Sequence, residues 1–106
     1  MNRLLSILSL CRKAGKLKMG FDPVVGALGK DAALVLFASD CSPKTRERME
    51  LKAGRFGVPV LGLPCTADEI WLALGKKLAV MAVTDEGFAR KAASLMNDGC
   101  KEESDI

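Results

Sequence analysis

The chain has 106 residues, 49% of them hydrophobic and 27% charged, which fits one globular domain with its own core. No apolar run approaches the ~20 residues of a membrane span. No cleavage site follows the apolar N-terminus, so neither a signal peptide nor a membrane partner is expected. The net charge of +3 is uneven: residues 1–55 hold eleven Lys/Arg against five Asp/Glu, and residues 56–106 hold five against eight, so the basic first half points to a polyanionic partner.

A first helix is expected over residues 2–14. Asn2 can cap it, Leu4, Leu5, Leu8 and Cys11 recur at helical spacing, and Gly15 stops it. Residues 16–20 alternate polar and apolar, as a short strand does. Asp22 followed by Pro23 reads as the cap and first position of a second helix that stops at Gly29. Gly26 inside that helix costs it about 1 kcal/mol relative to alanine.

Residues 33–38 are apolar at every position, the pattern of a strand covered on both faces. Ser42 and Pro43 then open a charged helix to about Phe56, with Thr45, Met49, Ala53 and Phe56 as its core face. A strand over residues 58–63 completes a β-α-β unit. The Thr66-Ala67-Asp68-Glu69 capping box starts a fourth helix, which ends at Gly75. A strand over 78–83 and a helix over about 85–96, with Phe88, Ala92, Leu95 and Met96 inward, complete the order α-β-α-β-α-β-α-β-α. That order is a three-layer α/β/α sandwich. One domain is expected over residues 1–97, with a polar tail over 98–106.

There is no histidine, and the four cysteines (Cys11, Cys41, Cys65, Cys100) form no C-x-x-C pair. No metal site is expected, and the cysteines read as small buried residues of a reducing cytoplasm. None of the Gly-Lys pairs (15–16, 29–30, 75–76) has a glycine five residues upstream, and no G-x-G-x-x-G follows a strand. No catalytic residue and no cofactor are assigned.

The ordered pieces resemble a known family. They are Cys-Arg-Lys-Ala-Gly-Lys at 11–16, Gly20 opening the second helix, Leu-Val-Leu-Phe-Ala-Ser-Asp at 34–40 before Ser42-Pro43, and Gly-Val-Pro-Val at 57–60. Leu74-Gly75-Lys76 and Ala-Val-Thr-Asp-Glu-Gly-Phe-Ala at 82–89 complete them. The chain is similar to the ribosomal protein L7Ae/L30e/S12e/Gadd45 family, nearest to its small bacterial YlxQ-like RNA-binding members. The resemblance covers about residues 2–96 and implies an L30e-like sandwich with a four-stranded mixed sheet. It also implies a monomeric, cytoplasmic, non-enzymatic RNA-binding protein. Its partner would be a structured RNA of the kink-turn type, ribosomal or other, or the ribosome itself.

The family signature at the second helix is glycine, a small polar residue, Asn or Lys, Glu or Gln, two spacers and Lys. Here it meets Gly20, Phe21, Asp22, Pro23, Val24, Val25 and Gly26, and only the glycine is kept. The second RNA-facing segment aligns with Lys76, Lys77, Leu78, Ala79 and Val80, and Trp71 stands where a glycine is usual.

The candidate RNA-binding set is Lys13, Lys16, Lys18, Gly20, Phe21, Asp22, Lys76, Lys77, Leu78 and Ala79. A helix N-terminus after a glycine offers amides to phosphate, and an exposed Phe21 can stack on a base or else staple the helix. A second candidate is the stripe Lys44, Arg48, Lys52, Arg55, within about 80° of arc on the third helix. A third is the pair Cys41 and Cys65, each just before a helix whose N-terminus lowers a thiol pKa. Trp71 is either core or an anchor for a partner. A protein-interaction module that kept the fold without RNA readout is the alternative function.

Overall fold

Strands β2 (Leu34–Phe37) and β4 (Val80–Val83) form the centre of a four-stranded sheet, and every residue of both is buried. Their apolar runs leave no polar side chain to face water, so each strand must be covered on both faces. The computed structural model describes the backbone of residues 3–104 and the side chains of residues 3–96. The remaining elements are α1 (Arg3–Lys13), β1 (Leu17–Met19), α2 (Phe21–Leu28), α3 (Pro43–Arg55), β3 (Val60–Gly62), α4 (Ala67–Leu74) and α5 (Glu86–Ser104). The alternating order is the one expected.

The strand order is β1-β4-β2-β3. β4 is antiparallel to both neighbours, and β2 runs parallel to β3, closing the β2-α3-β3 unit. Two apolar clusters flank this mixed sheet. On one face Leu4, Leu8 and Cys11 of α1, Ile70 and Leu74 of α4 and Ala92 of α5 pack on Leu34, Leu36, Met81 and Val83. On the other, Val24 and Leu28 of α2 and Met49 and Ala53 of α3 pack on Val35, Phe37, Val80 and Ala82. Alternate residues of each central strand thus serve opposite helical layers.

Several expectations are corrected. The strands are shorter than their apolar runs: residues 17–19, 34–37, 60–62 and 80–83 rather than 16–20, 33–38, 58–63 and 78–83. Phe56 is not core. α3 ends at Arg55, and Phe56 leaves the helix as its cap, 57% exposed, its ring against Gly29.

α2 begins at Phe21 with Gly20 as its cap, not Asp22. Gly20 has φ +101° and ψ 161°, a region open in practice only to glycine. That turn brings the Val24 N–H onto the Gly20 carbonyl (3.2 Å), closing the first helical turn ahead of the expected cap at Asp22. Pro23 falls inside that turn, where its missing N–H costs no intrahelical bond. The α5 helix runs to Ser104, past the expected end at Met96. The Asn2 cap and the side chains of the expected tail lie outside the described residues.

Candidate nucleic-acid interface

The register places the ends of all four strands at one edge of the sheet. Met19 lies opposite Met81, and Phe37 lies opposite both Val80 and Gly62. Backbone hydrogen bonds tie the loops above this edge into a continuous rim. Gly20 N–H donates to the Val80 carbonyl at 3.1 Å, and Ala38 N–H donates to the Ala79 carbonyl at 2.9 Å. Ser39 N–H donates to the Cys65 carbonyl at 2.8 Å. The N-terminus of α2 therefore stands beside the end of the 76–79 loop: Gly20, Phe21 and Asp22 adjoin Ala79 and Val80, and Leu78, Lys77 and Lys76 lead from there toward α4.

Along this rim the side chains differ. Asp22, Lys76 and Lys77 are exposed. Leu78 is half-buried against the α1/α4/α5 cluster. Lys77 Nζ lies 3.0 Å from Asp68 Oδ1 in an exposed ion pair. No side chain caps α2, so the first-turn amides of Phe21 and Asp22 remain available to an acceptor.

Phe21 is half-buried on the α2/α3 cluster, and the Arg48 guanidinium sits over its ring, 5.4 Å from the centroid. It is both staple and platform: one face holds the core, and a cation from the α3 stripe covers the ring. The first two candidate sites are thus contiguous through Arg48.

Not every candidate joins the rim. The Lys16 carbonyl accepts from Thr84 N–H at 2.8 Å, which puts Lys16, and Lys13 before it, at the far end of β1 from Gly20. Lys18 is exposed opposite Ala82, between the two ends.

The two other helix N-termini at this edge are built differently. At α4, Thr66 Oγ1 accepts from Glu69 N–H (3.2 Å) while Glu69 Oε1 accepts from Thr66 N–H (3.0 Å). Asp40 Oδ1 accepts from Ala67 N–H at 2.9 Å. That N-terminus is closed. At α3, Ser42 makes no side-chain cap bond and Pro43 brings no N–H.

Among the described residues the cysteines offer no activated thiol. Burial raises Cys41, Asp40 adds to the rise, and Arg46 only partly opposes it. Burial and then Glu69 raise Cys65. Burial and then Asp85 push Cys11 up to about 11. Among the described residues no cluster of metal-ligating side chains forms. Trp71 is 53% exposed and lies outside the core.

RNA-binding protein YlxQ of Enterococcus faecium is 30% identical over 95 residues, 89% of this chain and 91% of that protein. Its counterpart in Bacillus subtilis is 33% identical over 93 residues, 86% of this chain and 92% of that one. This chain is a YlxQ-type member of the L7Ae/L30e family. The large ribosomal subunit protein eL30 of Aeropyrum pernix is 30% identical over 81 residues, 74% of this YlxQ-type chain and 81% of eL30.

Among solved structures, a Bacillus halodurans protein of unknown function superposes with TM-score 0.84 at 31% identity, covering 92% of this chain and 99% of that one. A Giardia lamblia 15.5 kD RNA binding protein superposes at TM-score 0.72 and 17% identity over 90% and 82% of the two chains, which speaks to the L30e-like fold alone. No family model matches the chain.

Sequence reasoning missed three contacts of this YlxQ-type chain: Asp40 on α4 and Arg48 over Phe21 at the rim, and, away from it, the Arg12 guanidinium donating to the Leu74 carbonyl at the end of α4. Each joins residues distant in the chain, and no local pattern announces them.

Proposed function

We propose that this protein binds structured RNA, ribosomal or other, through the rim of Gly20, Phe21, Asp22, Lys76, Lys77, Leu78 and Ala79, and catalyses nothing there. The observation that carries the reading is the Gly20–Val80 hydrogen bond of 3.1 Å, which holds the uncapped α2 N-terminus beside the lysine-bearing 76–79 loop. The names of the relatives support it: two are RNA-binding proteins and one is a ribosomal protein.

In this reading the Phe21 and Asp22 amides meet a phosphate, and Lys76 and Lys77 position the backbone. The Asp22 carboxylate accepts from base amino groups, and the free edge of Phe21 packs beside a splayed base. A sharply bent duplex of the kink-turn type presents a phosphate and unstacked bases together, which a plain duplex does not.

A salt-dependent titration with a kink-turn RNA and a plain duplex of equal length tests this. Tight, kink-selective binding is expected, with log affinity falling by about 0.9 per log salt for each phosphate neutralised. Equal, weak, steeply salt-dependent binding to both would remove the kink-turn reading. Affinities weaker than about millimolar for every structured RNA at low salt would remove RNA binding altogether.

A second reading, a protein-docking module, is favoured by adjacent apolar residues exposed on α4: Trp71 at 53% and Leu72 at 81%. Under that reading Trp71→Ala abolishes co-sedimentation with ribosomes while leaving RNA titrations unchanged.

A further inference from the structure

Resting on the RNA reading above, we propose that the α3 stripe is a second RNA track, carrying the phosphate backbone of a stem away from the rim and down the α2/α3 face.

Two contacts fix the geometry. Arg48 lies over Phe21 at the start of α2, and Phe56, just past α3, lies against Gly29, just past α2. The two helices therefore run side by side in the same direction. The stripe faces the groove between them, with Lys44 above the level of the rim and Lys52 and Arg55 well below it. At about 1.5 Å per residue, Lys44 to Arg55 spans roughly 16 Å. The i→i+4 steps of about 6 Å approximate the spacing of successive phosphates along a strand.

The charges of this face are free to act. Among the described residues none of Lys44, Arg48, Lys52 and Arg55 is in an ion pair. The α3 acid Glu50 is taken by Arg46 at 3.1 Å, on the far side of the helix toward β3. Glu47 lies off the stripe on the outer side. The facing helix, α2, carries no charge after Asp22. The result is a positive wall opposite a neutral one, which suits a polyanionic strand.

The test uses the full chain and two RNAs with the same kink. One has a stem just long enough to close the kink, and the other has that stem extended by a full helical turn. The wild type binds the long-stem RNA more tightly and with the steeper salt slope. Lys52→Ala with Arg55→Ala lowers the long-stem slope by about 2 and erases the long-stem advantage. The same variant binds the short-stem RNA as the wild type does, which also shows that it folds. Exchanging the cations (Lys52→Arg with Arg55→Lys) restores the advantage.

Equal wild-type affinities and slopes for the two RNAs, unchanged in the variant, would overturn the track and leave the rim standing. That stripe would then serve another partner. Failure of the wild type to bind either RNA would overturn the rim, and the track with it.

Discussion

Two helix N-termini at one edge of the sheet, those of α2 and α4, begin with opposite solutions to the same problem. Each leaves first-turn amides without intrahelical partners. At α4 the sequence supplies Thr66, Glu69 and, from the β2-α3 loop, Asp40, so the amides are consumed inside the protein. At α2 the turn is made by Gly20, which has no side chain to offer, and Phe21 and Asp22 keep their N–H groups. The α4 arrangement spends its polar atoms on stability. The α2 arrangement relies on a backbone conformation only glycine tolerates, and leaves its dipole facing outward. In the RNA reading, that difference is why the α2 terminus and not the α4 terminus takes the phosphate.

The sharpest way to break the comparison is at Gly20. An alanine meets no steric obstacle, since the nearest atom to its Cβ is Pro23 Cδ at 3.7 Å. The cost is conformational: φ +101° with ψ 161° strains any L-residue by about 1–3 kcal/mol. Gly20→Ala should lower the melting temperature by several degrees and weaken RNA binding. Thermal melts and a titration read both, and an unchanged melt would mean that the cap relaxes without strain.

Thr66→Ala strikes the sealed terminus. It should cost about 1 kcal/mol of stability, the usual worth of a cap, with RNA affinity unchanged. A loss of affinity there would erase the distinction between the two ends. Gly26→Ala is the control on the outer face of α2. Its backbone is helical and its surroundings open, so the variant should gain up to about 1 kcal/mol in a denaturant melt. RNA affinity should be unchanged, and a loss would extend the interface onto that face.

How much of this was legible depended on whether a signal was local. The unbroken apolar runs of β2 and β4 can only be strands buried on both faces, and they set the layers. The capping box at Thr66 carries its own geometry in four consecutive residues. Asp22-Pro23 carries an equally good local signal, yet it lost to Gly20, because the hydrogen bond to Val80 fixes the turn from across the sheet. Phe56 has the right helical phase for the core, but the helix stops one residue earlier and the ring swings to Gly29. For the site, sequence placed Gly20 beside the 76–79 loop but could not place Lys16. That residue precedes β1, and only the antiparallel pairing with β4 shows that it sits at the strand's other end. Arg48 over Phe21 was invisible for the same reason, since it needs the relative placement of two helices.

The smallest effect expected lies where the closed α4 terminus meets the 76–79 loop. Lys77, a rim cation, is 3.0 Å from Asp68 in the first turn of α4, with the two side chains 67% and 72% exposed. A pair so open to water contributes no more than about 0–1 kcal/mol, yet it holds a rim cation against an acid of the closed helix. Asp68→Asn removes the acid and keeps the shape. Stability should fall by a few tenths of a kcal/mol, mainly from the lost carboxylate at the helix N-terminus. RNA affinity should rise slightly, and the salt slope should grow by no more than about 1, because one cation is released to a phosphate. A parallel Lys77→Ala variant should move the slope the opposite way. If both variants bind as the wild type does, Lys77 takes no part, and the rim's phosphate contact rests on Lys76 and the α2 amides.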